Sequence, residues 1–327
     1  MAAVGRGVPS RHLGLDLGGT NIKAVVVEHD AGEWRILDRD QVPTPAAAGP
    51  NRVVARLAEV GAEAMARSPG VESIGIGVPG LYDPTAGTTR FLVNIPGAWA
   101  GHPVAGPVSE ALGVPAALIN DARAFGLAEL RLGAGRGAQA MIGLTLGTGV
   151  GGVIAIDGRV YQGHDGTGGE LGHQTLDPDG PTCGCGNRGC LEAYARADRI
   201  AEACGTASVE EAIERARAGD DAAVAGLERV GRYLGVAIAN MITVVTPERV
   251  VLGGGVAGSA DLLLDTIRDE VRRHVFTTSL EGIEIVPAEL GTWAGAIGAA
   301  IHGAEQASAV VPVAPGVPEP SAPRVVA

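Results

Sequence analysis

Residues 169–192 read GELGHQTLDPDGPTCGCGNRGCLE and contain three of the four cysteines in the chain. One imidazole and three thiolates, the ligand set of a closed tetrahedral zinc site, are offered here by His173, Cys183, Cys185 and Cys190. Their spacing, H-x9-C-x-C-x4-C, is not that of a zinc finger, and the intervening glycines let the backbone fold back within a few residues. We therefore predict a structural zinc ion that holds this loop together.

A disulfide is the alternative interpretation of these cysteines. Cys183 and Cys185 are separated by a single residue and form an awkward pair, and three cysteines leave one thiol over. The opening residues MAAVGRGVPSRH lack the apolar segment of a secretion signal, so we expect a cytoplasmic protein whose thiols stay reduced. We therefore favour zinc over a disulfide, and we interpret Cys204 as a small buried residue.

Length and charge narrow the class of protein. With 327 residues, the chain can form two domains that each have a sizeable core. The net charge is −12 and no basic tract is present, which argues against nucleic acid as a partner. No apolar run is long enough to span a membrane. An anionic ligand would therefore be held by local devices such as backbone amides, a helix terminus or a metal ion.

A short repeat organises the rest of the sequence. LGLDLG at residues 13–18 and IGLTLG at residues 142–147 each end an apolar strand at a glycine turn. Strands and helices alternate along the chain, which is typical of an α/β fold, and the repeat predicts two domains of similar plan. We expect a long loop over residues 81–103, helices over 192–203 and 293–305, and a disordered, proline-rich tail over 306–327.

Two aspartates are candidates for chemistry. Asp16 lies inside an apolar strand, where a carboxylate needs a partner, and hydrated Mg²⁺ beside phosphates is one such partner. Asp121 follows a buried strand and precedes a helix. It is either the N-cap of that helix or a general base at the carboxyl edge of a sheet, and the spacing leaves both interpretations open.

Glycine turns and two glutamates complete the set of candidates. Turns after strands at residues 18–20 and 147–149 suit backbone amides that close on phosphate oxygens, and the turn at 253–255 could let a nucleotide approach closely. An ordinary turn explains each of the three at least as well. Glu170 and Glu192 flank the predicted zinc loop. They are candidates for hydrogen bonds to hydroxyl groups, with surface charge as the alternative.

These motifs together resemble the ROK family of sugar kinases and sugar-responsive repressors. The resemblance spans residues 11–304 and rests on DLGGTNIK (16–23), VPG (78–80), the loop around Asn94, NDA (120–122), LGTGVGG (146–152), GELGH (169–173), CGCGNRGCLE (183–192) and LGGG (252–255). It implies an α/β, two-lobed, actin-like ATPase fold of the hexokinase type, with duplicated βββαβαβα domains. The implied boundaries are a flexible start (1–10), a small lobe (11–121) joined by the last helix (293–305), and a large lobe (122–292) with the nucleotide and zinc sites.

The resemblance also implies roles for individual residues. Asp121 would be the catalytic base and would contact the sugar, together with Gly80, Asn94, Asn120, Glu170, His173 and Glu192. In the family the histidine at the position of His173 serves both sugar and zinc. ATP and Mg²⁺ would lie against Asp16, Gly18, Gly19, Thr20, Gly147, Thr148 and Gly149, with Gly253, Gly254 and Gly255 near the adenosine. Two positions depart from the family: Arg123 replaces a frequent asparagine, and Arg196 replaces a common serine.

The function implied by the resemblance is that of an ATP-dependent hexose kinase, with glucose and glucose 6-phosphate as the preferred acceptor and product. Kinases for N-acetylmannosamine, N-acetylglucosamine or fructose share the same motifs, and polyphosphate or ADP could replace ATP. A sugar-sensing repressor needs a DNA-binding domain, yet only 15 residues precede Asp16. A sugar-binding protein without catalysis is the remaining alternative, and a homodimer or homotetramer is common in the family.

Overall fold

The computed structural model describes residues 8–255 and 260–309. The elements of the first half are β1 (Ser10–Leu17), β2 (Asn21–Asp30), β3 (Glu33–Pro43), α1 (Pro50–Arg67), β4 (Val71–Val78), β5 (Gly80–Asp83), β6 (Thr88–Leu92), β7 (His102–Pro103), α2 (Ala105–Leu112), β8 (Ala116–Asn120) and α3 (Asp121–Leu132). Those of the second half are β9 (Met141–Leu146), β10 (Val150–Ile156), β11 (Arg159–Val160), α4 (Glu192–Ala195), α5 (Ala197–Cys204), α6 (Val209–Arg217), α7 (Asp221–Val245), β12 (Arg249–Gly253), α8 (Ala260–His274), β13 (Glu284–Pro287) and α9 (Ala294–Ala309).

The two halves repeat one sheet topology. The strand orders are β3-β2-β1-β4-β8 in the first half and β11-β10-β9-β12-β13 in the second. In each sheet the first three strands form an antiparallel meander, and the last two join in parallel through helical crossovers. The predicted α/β fold with a duplicated βββαβαβα plan is therefore confirmed. The repeated hexapeptides are the first strand of each sheet.

The last helix of each repeat packs on the sheet of the other half. α9 ends the second repeat but lies on β1 and β4, whereas α3 ends the first repeat and contacts β9 and β10. Glycine makes the contacts of α9 close. A Cβ on Gly14 would lie 1.8 Å from the carbonyl oxygen of Ala296, and one on Gly298 would lie 1.7 Å from that of Ala124. The halves are thus joined through backbone-to-backbone packing of α9 against both β1 and α3.

Apolar side chains form three large clusters. One lies between the first sheet and helices α1 and α2, and a second lies between the second sheet and helices α5 to α8. The third surrounds α3 and α9 and includes Val27 of the first sheet and Val153 of the second. Because this cluster draws on both sheets, the two halves share part of their core.

Three expectations about individual segments were wrong. Residues 81–103 are not a plain loop, because β5, β6 and β7 pair there as a small antiparallel sheet. The helix expected over 192–203 is broken at Arg196, whose extended backbone lets the amide of Ala197 bond to the carbonyl of Gly147, 2.8 Å away. The last helix continues to Ala309, so residues 306–309 are helical rather than part of a tail. Residues 1–7 and 310–327, which hold most of both predicted flexible ends, lie outside the described residues.

The lobe boundaries inferred from the family remain predictions. Among the described residues, no helix combines the length and the apolar character needed to cross a membrane.

Candidate active site

The carboxyl ends of parallel strands bring the predicted residues together. β1, β4 and β8 run parallel and end at one edge of the first sheet, and β9 and β12 end at one edge of the second. The loop around Asn94 connects the two edges. The side-chain amide of Asn94 donates to Oγ1 of Thr148 at 3.3 Å. The backbone carbonyl of Asn94 packs closely on Gly19, where a Cβ would lie 2.6 Å from the carbonyl oxygen. The two glycine turns of the sequence repeat therefore meet at one site, in the region where α/β proteins bind ligands.

Asp16 occupies a narrow slot lined by glycine. A Cβ on Gly77 of β4 would lie 3.3 Å from Oδ1 of Asp16, and one on Gly295 of α9 would lie 2.8 Å from Oδ2. Burial raises the pKa of Asp16, and the positive charge of Lys23 on β2 opposes that rise. Since Gly295 is in the first turn of α9, the helix dipole favours a carboxylate at this point. Glycine at positions 77 and 295 therefore gives the carboxyl group of Asp16 the space that it occupies.

Asp121 is held by its neighbours as a partly buried carboxyl group. Its Oδ1 accepts hydrogen bonds from the amide of Ala122 (2.9 Å) and from Nδ2 of Asn120 (3.0 Å). Burial raises the pKa of Asp121 to about 7, and the negative charges of Asp16 and Glu170 add to the rise. A carboxyl group with such a pKa exchanges its proton near neutral pH, as a general base must.

The N-cap interpretation of Asp121 was wrong. The cap of α3 is Asn120, whose Oδ1 accepts from the amide of Arg123 at 3.1 Å, and Asp121 is the first helical residue. Asn120 Nδ2 also donates to the carbonyl oxygen of Gly80 (3.2 Å), which ties β8 to β5. Capping by the preceding residue leaves the carboxyl group of Asp121 available for another task.

The three glycine turns lie at this site for different reasons. The 18–20 turn is fixed by Thr44, whose hydroxyl donates to the carbonyl of Gly18 at 2.7 Å. A Cβ on Gly147 would have no heavy atom within 4 Å, so open space lies beside this turn. Gly254 has a φ of +94° and lies against the end of β9, where a Cβ would be 2.2 Å from the carbonyl oxygen of Leu146. The 253–255 turn is therefore next to the 147–149 turn, and packing alone already requires glycine at position 254.

The predicted zinc ligands converge. The ligand atoms of His173, Cys183, Cys185 and Cys190 all lie within 4.8 Å of one another. Cys185 Sγ and Cys190 Sγ are 3.8 Å apart, and Cys183 Sγ is 3.7 Å from Nδ1 of His173. Tetrahedral Zn²⁺ with Zn–S of about 2.3 Å and Zn–N of about 2.0 Å places such pairs about 3.8 and 3.6 Å apart, so the donor set fits the ion.

No disulfide forms among these cysteines. Cys183, Cys185, Cys190 and Cys204 are all free thiols. Cys204 is buried away from the cluster, as expected, and its Sγ lies 3.5 Å from the carbonyl oxygen of Ala223.

Glu192 connects the zinc loop to the second glycine turn. One carboxylate oxygen accepts from the amide of Val150 at 3.0 Å, and the other lies 3.5 Å from Cys183 Sγ. A Cβ on Gly149 would be 2.6 Å from the same carboxylate, so this glycine is needed for the contact. Glu192 thus helps to fix the cluster against β10.

Glu170 faces a residue to which sequence reasoning gave no role. Its side chain is 44% exposed, and Oε1 lies 3.7 Å from Nη2 of Arg123, whose side chain is only 2% exposed. The available signal was the arginine itself, because it stands among buried apolar residues in the sequence ARAF of α3.

Comparison with known proteins places the chain in a family. The family model of ROK matches residues 12–305. A glucokinase of Thermotoga maritima is 35% identical over 309 residues, which are 88% of this chain and 95% of that protein. The solved ROK hexokinase of Thermus thermophilus has a TM-score of 0.77 and 39% identity, and the match covers 91% of this chain and 99% of that one. A ROK family glucokinase from Streptomyces griseus, solved in complex with glucose and AMPPNP, has a TM-score of 0.77 and 32% identity over 90% of this chain and 100% of that one. These matches confirm the hexokinase-type fold, and the chain belongs to the ROK family.

Proposed function

We propose that this protein transfers the γ-phosphoryl group of ATP to the 6-hydroxyl of glucose, with Asp121 as the general base. The observation that carries the proposal is the carboxyl group of Asp121, which lies partly buried at the edge where both glycine turns meet and whose pKa is raised to about 7. Such a group can accept a hydroxyl proton at neutral pH as the oxygen attacks phosphorus.

The relatives of this chain identify the enzyme class, and the choice of sugar is a proposal. The chain is an ATP-dependent sugar kinase, since it matches glucokinases over most of its length and shares the fold of one solved with glucose and AMPPNP. Glucose is the proposed acceptor because two relatives with identities of 35% and 33% are named glucokinase.

The residues around Asp121 supply orientation. Asn120 bonds at once to Asp121 and to the carbonyl of Gly80, so the base is fixed relative to the small sheet. Asn94 lies between the two glycine turns, within reach of both a sugar and a nucleotide phosphate. Positioning of this kind is most of what phosphoryl transfer demands of a protein.

Asp16 and the 147–149 turn are the proposed contacts for Mg·ATP. The carboxylate of Asp16 is a suitable oxygen ligand for hydrated Mg²⁺, and the open space at Gly147 lets phosphate oxygens approach the backbone. The net charge of the chain is −12, which disfavours the binding of negatively charged phosphates. When bound, Mg²⁺ neutralises part of the phosphate charge and so reduces this repulsion.

Zinc is proposed to order the sugar-binding loop. Nδ1 of His173 points to the cysteine cluster, which leaves Nε2 on the opposite side of the ring for a sugar hydroxyl. Cys183 connects the same cluster to Glu192. The metal would then fix His173 and Glu192 through the loop that carries them.

The test is a coupled assay with Mg·ATP and four sugars: glucose, fructose, N-acetylglucosamine and N-acetylmannosamine. We expect a preference for glucose, and we expect Asp121→Asn to lower kcat by roughly 10²- to 10⁴-fold with glucose affinity nearly unchanged. Turnover of an amino sugar in preference to glucose would contradict the assigned acceptor, and full activity of Asp121→Asn would contradict the assigned base.

The pH dependence gives a second test of Asp121. Since the group must be ionised to accept a proton, kcat/KM should fall as the pH drops below about 7. The stability of the folded state should instead fall as the pH rises. The raised pKa means that the folded state binds the proton more tightly, so this group costs stability as the pH rises from about 4 to about 7. Asp121→Asn should therefore gain thermal stability over the wild type at pH 8 and not at pH 4; an equal difference at both would contradict the assignment.

A further inference from the structure

The loop that carries Glu170 is intrinsically hard to order. Residues 161–170 read YQGHDGTGGE and include Gly163, Gly166, Gly168 and Gly169. Gly163, Gly166 and Gly169 have positive φ values of 73°, 83° and 93°. Because glycine loses more backbone freedom than any other residue on ordering, a defined position for Glu170 needs an anchor outside the loop.

Arg123 supplies such an anchor from the first turn of α3. The residue is only 1% exposed, and its Nε donates to the carbonyl oxygen of Gly168 at 3.1 Å. Its guanidinium also reaches the small sheet: burial raises the pKa of Tyr82 on β5, and the charge and a hydrogen bond of Arg123 oppose that rise. One buried cation thus contacts the loop and β5 at the same time.

One donor of this guanidinium remains unsatisfied. Nη2 is buried and has no hydrogen-bond partner among the described residues, although Oε1 of Glu170 is 3.7 Å away. A buried guanidinium cannot lose its proton, and a donor left without a partner is costly. A shift of Glu170 by less than about 1 Å would bring the pair to the charge-assisted hydrogen-bond distance of about 2.8 Å.

We propose that Arg123 is a positioning residue for the hexose: it anchors the glycine-rich loop through Gly168 and completes an ion pair with Glu170 when the sugar binds. This inference rests on the proposed function of the site, in which Glu170 accepts hydrogen bonds from sugar hydroxyls. The carboxylate that is held by Arg123 keeps its second oxygen for the ligand. Arg123 therefore acts on sugar binding and not on the transfer step, which belongs to Asp121.

The first test compares Arg123→Gln and Arg123→Lys in the assay with glucose and Mg·ATP. Arg123→Gln should raise the KM for glucose about tenfold or more, since a hydrogen bond to a charged group is lost, while kcat and the KM for ATP change less than about threefold. Lysine keeps the charge and should recover part of the affinity. Arg131→Gln is the matched control, because Arg131 is on the same helix but bonds to Gly158 and Glu305 instead. A fall in kcat with an unchanged KM for glucose would overturn the proposal.

A double-mutant cycle with Glu170→Gln separates positioning from general damage to the fold. If Arg123 acts through Glu170, the double variant should have a KM for glucose no higher than that of Glu170→Gln alone, whereas independent effects would multiply and contradict the proposal. Should Arg123→Gln fail to fold, the same cycle is run with Arg123→Lys. A wild-type protein that phosphorylates no hexose would refute the proposed function itself; wild-type turnover with multiplying effects would refute only the role of Arg123.

Discussion

The strand before the first glycine turn carries Asp16, whereas the corresponding strand of the second half carries Thr145. The parallel strand at the edge of each sheet shows the same contrast. β8 ends in Asn120 and is followed by Asp121, while β13 ends in Pro287 and is followed by Ala288. Both aspartates of the candidate site thus belong to the first half. The second half contributes the insertion between β11 and α4, which holds Glu170 and the zinc cluster. The two halves therefore share one sheet topology, but each contributes different residues to the candidate site.

The helices that cross between the halves also differ in how they pack against the equivalent glycines. Gly14 of β1 faces the backbone of α9, whereas its counterpart Gly143 of β9 faces the side chains of Val153 and Phe125. The equivalent glycines therefore permit a backbone contact in the first half and a side-chain contact in the second. Side chains can shift to new rotamers, but two packed backbones cannot move apart without displacing a whole element.

The largest effect on activity is expected from Asp16→Thr, which gives the first half the residue found at the corresponding position of the second half, Thr145. The change removes the proposed Mg²⁺ ligand, so we expect kcat with Mg·ATP to fall by about 10²-fold or more, the equivalent of about 2.7 kcal/mol. The matched change in the second half is Thr145→Val, which keeps the shape and should alter kcat far less. The measurement is turnover over a series of Mg²⁺ concentrations. Equal losses in both variants would show that the two positions are not functionally different.

Loss of a cysteine tests the part that only the second half possesses. Cys185→Ala removes one proposed ligand, so we expect zinc to be lost and the KM for glucose to rise about tenfold, or about 1.4 kcal/mol, because the loop carries both Glu170 and His173. The bound metal is measured by mass spectrometry and the KM in the coupled assay. Cys204→Ala serves as control and should keep both zinc and KM. If zinc is lost while the KM for glucose stays the same, the metal does not order the sugar site.

The third comparison concerns the stability of the fold at the repeated glycines and not the activity. Gly14→Ala should lower the free energy of unfolding by about 3 kcal/mol, and Gly143→Ala by about 1 kcal/mol, since the new Cβ meets a backbone carbonyl in the first case and movable side chains in the second. Intrinsic strand propensities cancel because both changes are glycine to alanine within a strand. Unfolding by denaturant gives the two values. Equal or reversed losses of stability would contradict the expectation that the contact of α9 is more rigid than that of α3.

Local patterns were sufficient for much of the fold. The antiparallel meanders follow from apolar strands separated by glycine turns, and the repeated hexapeptide indicated the duplication before any topology was known. The small sheet over residues 80–103 was missed because its strands are short and the segment that contains them is rich in glycine, proline and asparagine, which are typical of loops. The sequence left Asp121 as a possible cap of α3, because aspartate caps helices as well as the preceding asparagine does.

The sequence by itself predicted a zinc cluster, because its four candidate ligands lie in one short segment and their types are those of a metal site. It also identified Asp16 as a carboxyl group inside an apolar strand and Asp121 as a carboxyl group between a strand and a helix. Only the tertiary structure decided that the two aspartates act on each other, that Asn94 joins the two glycine turns, and that Arg123 lies beneath Glu170. These contacts join residues far apart in the chain. Their distances depend on how the sheets and helices pack, and no local pattern records that packing.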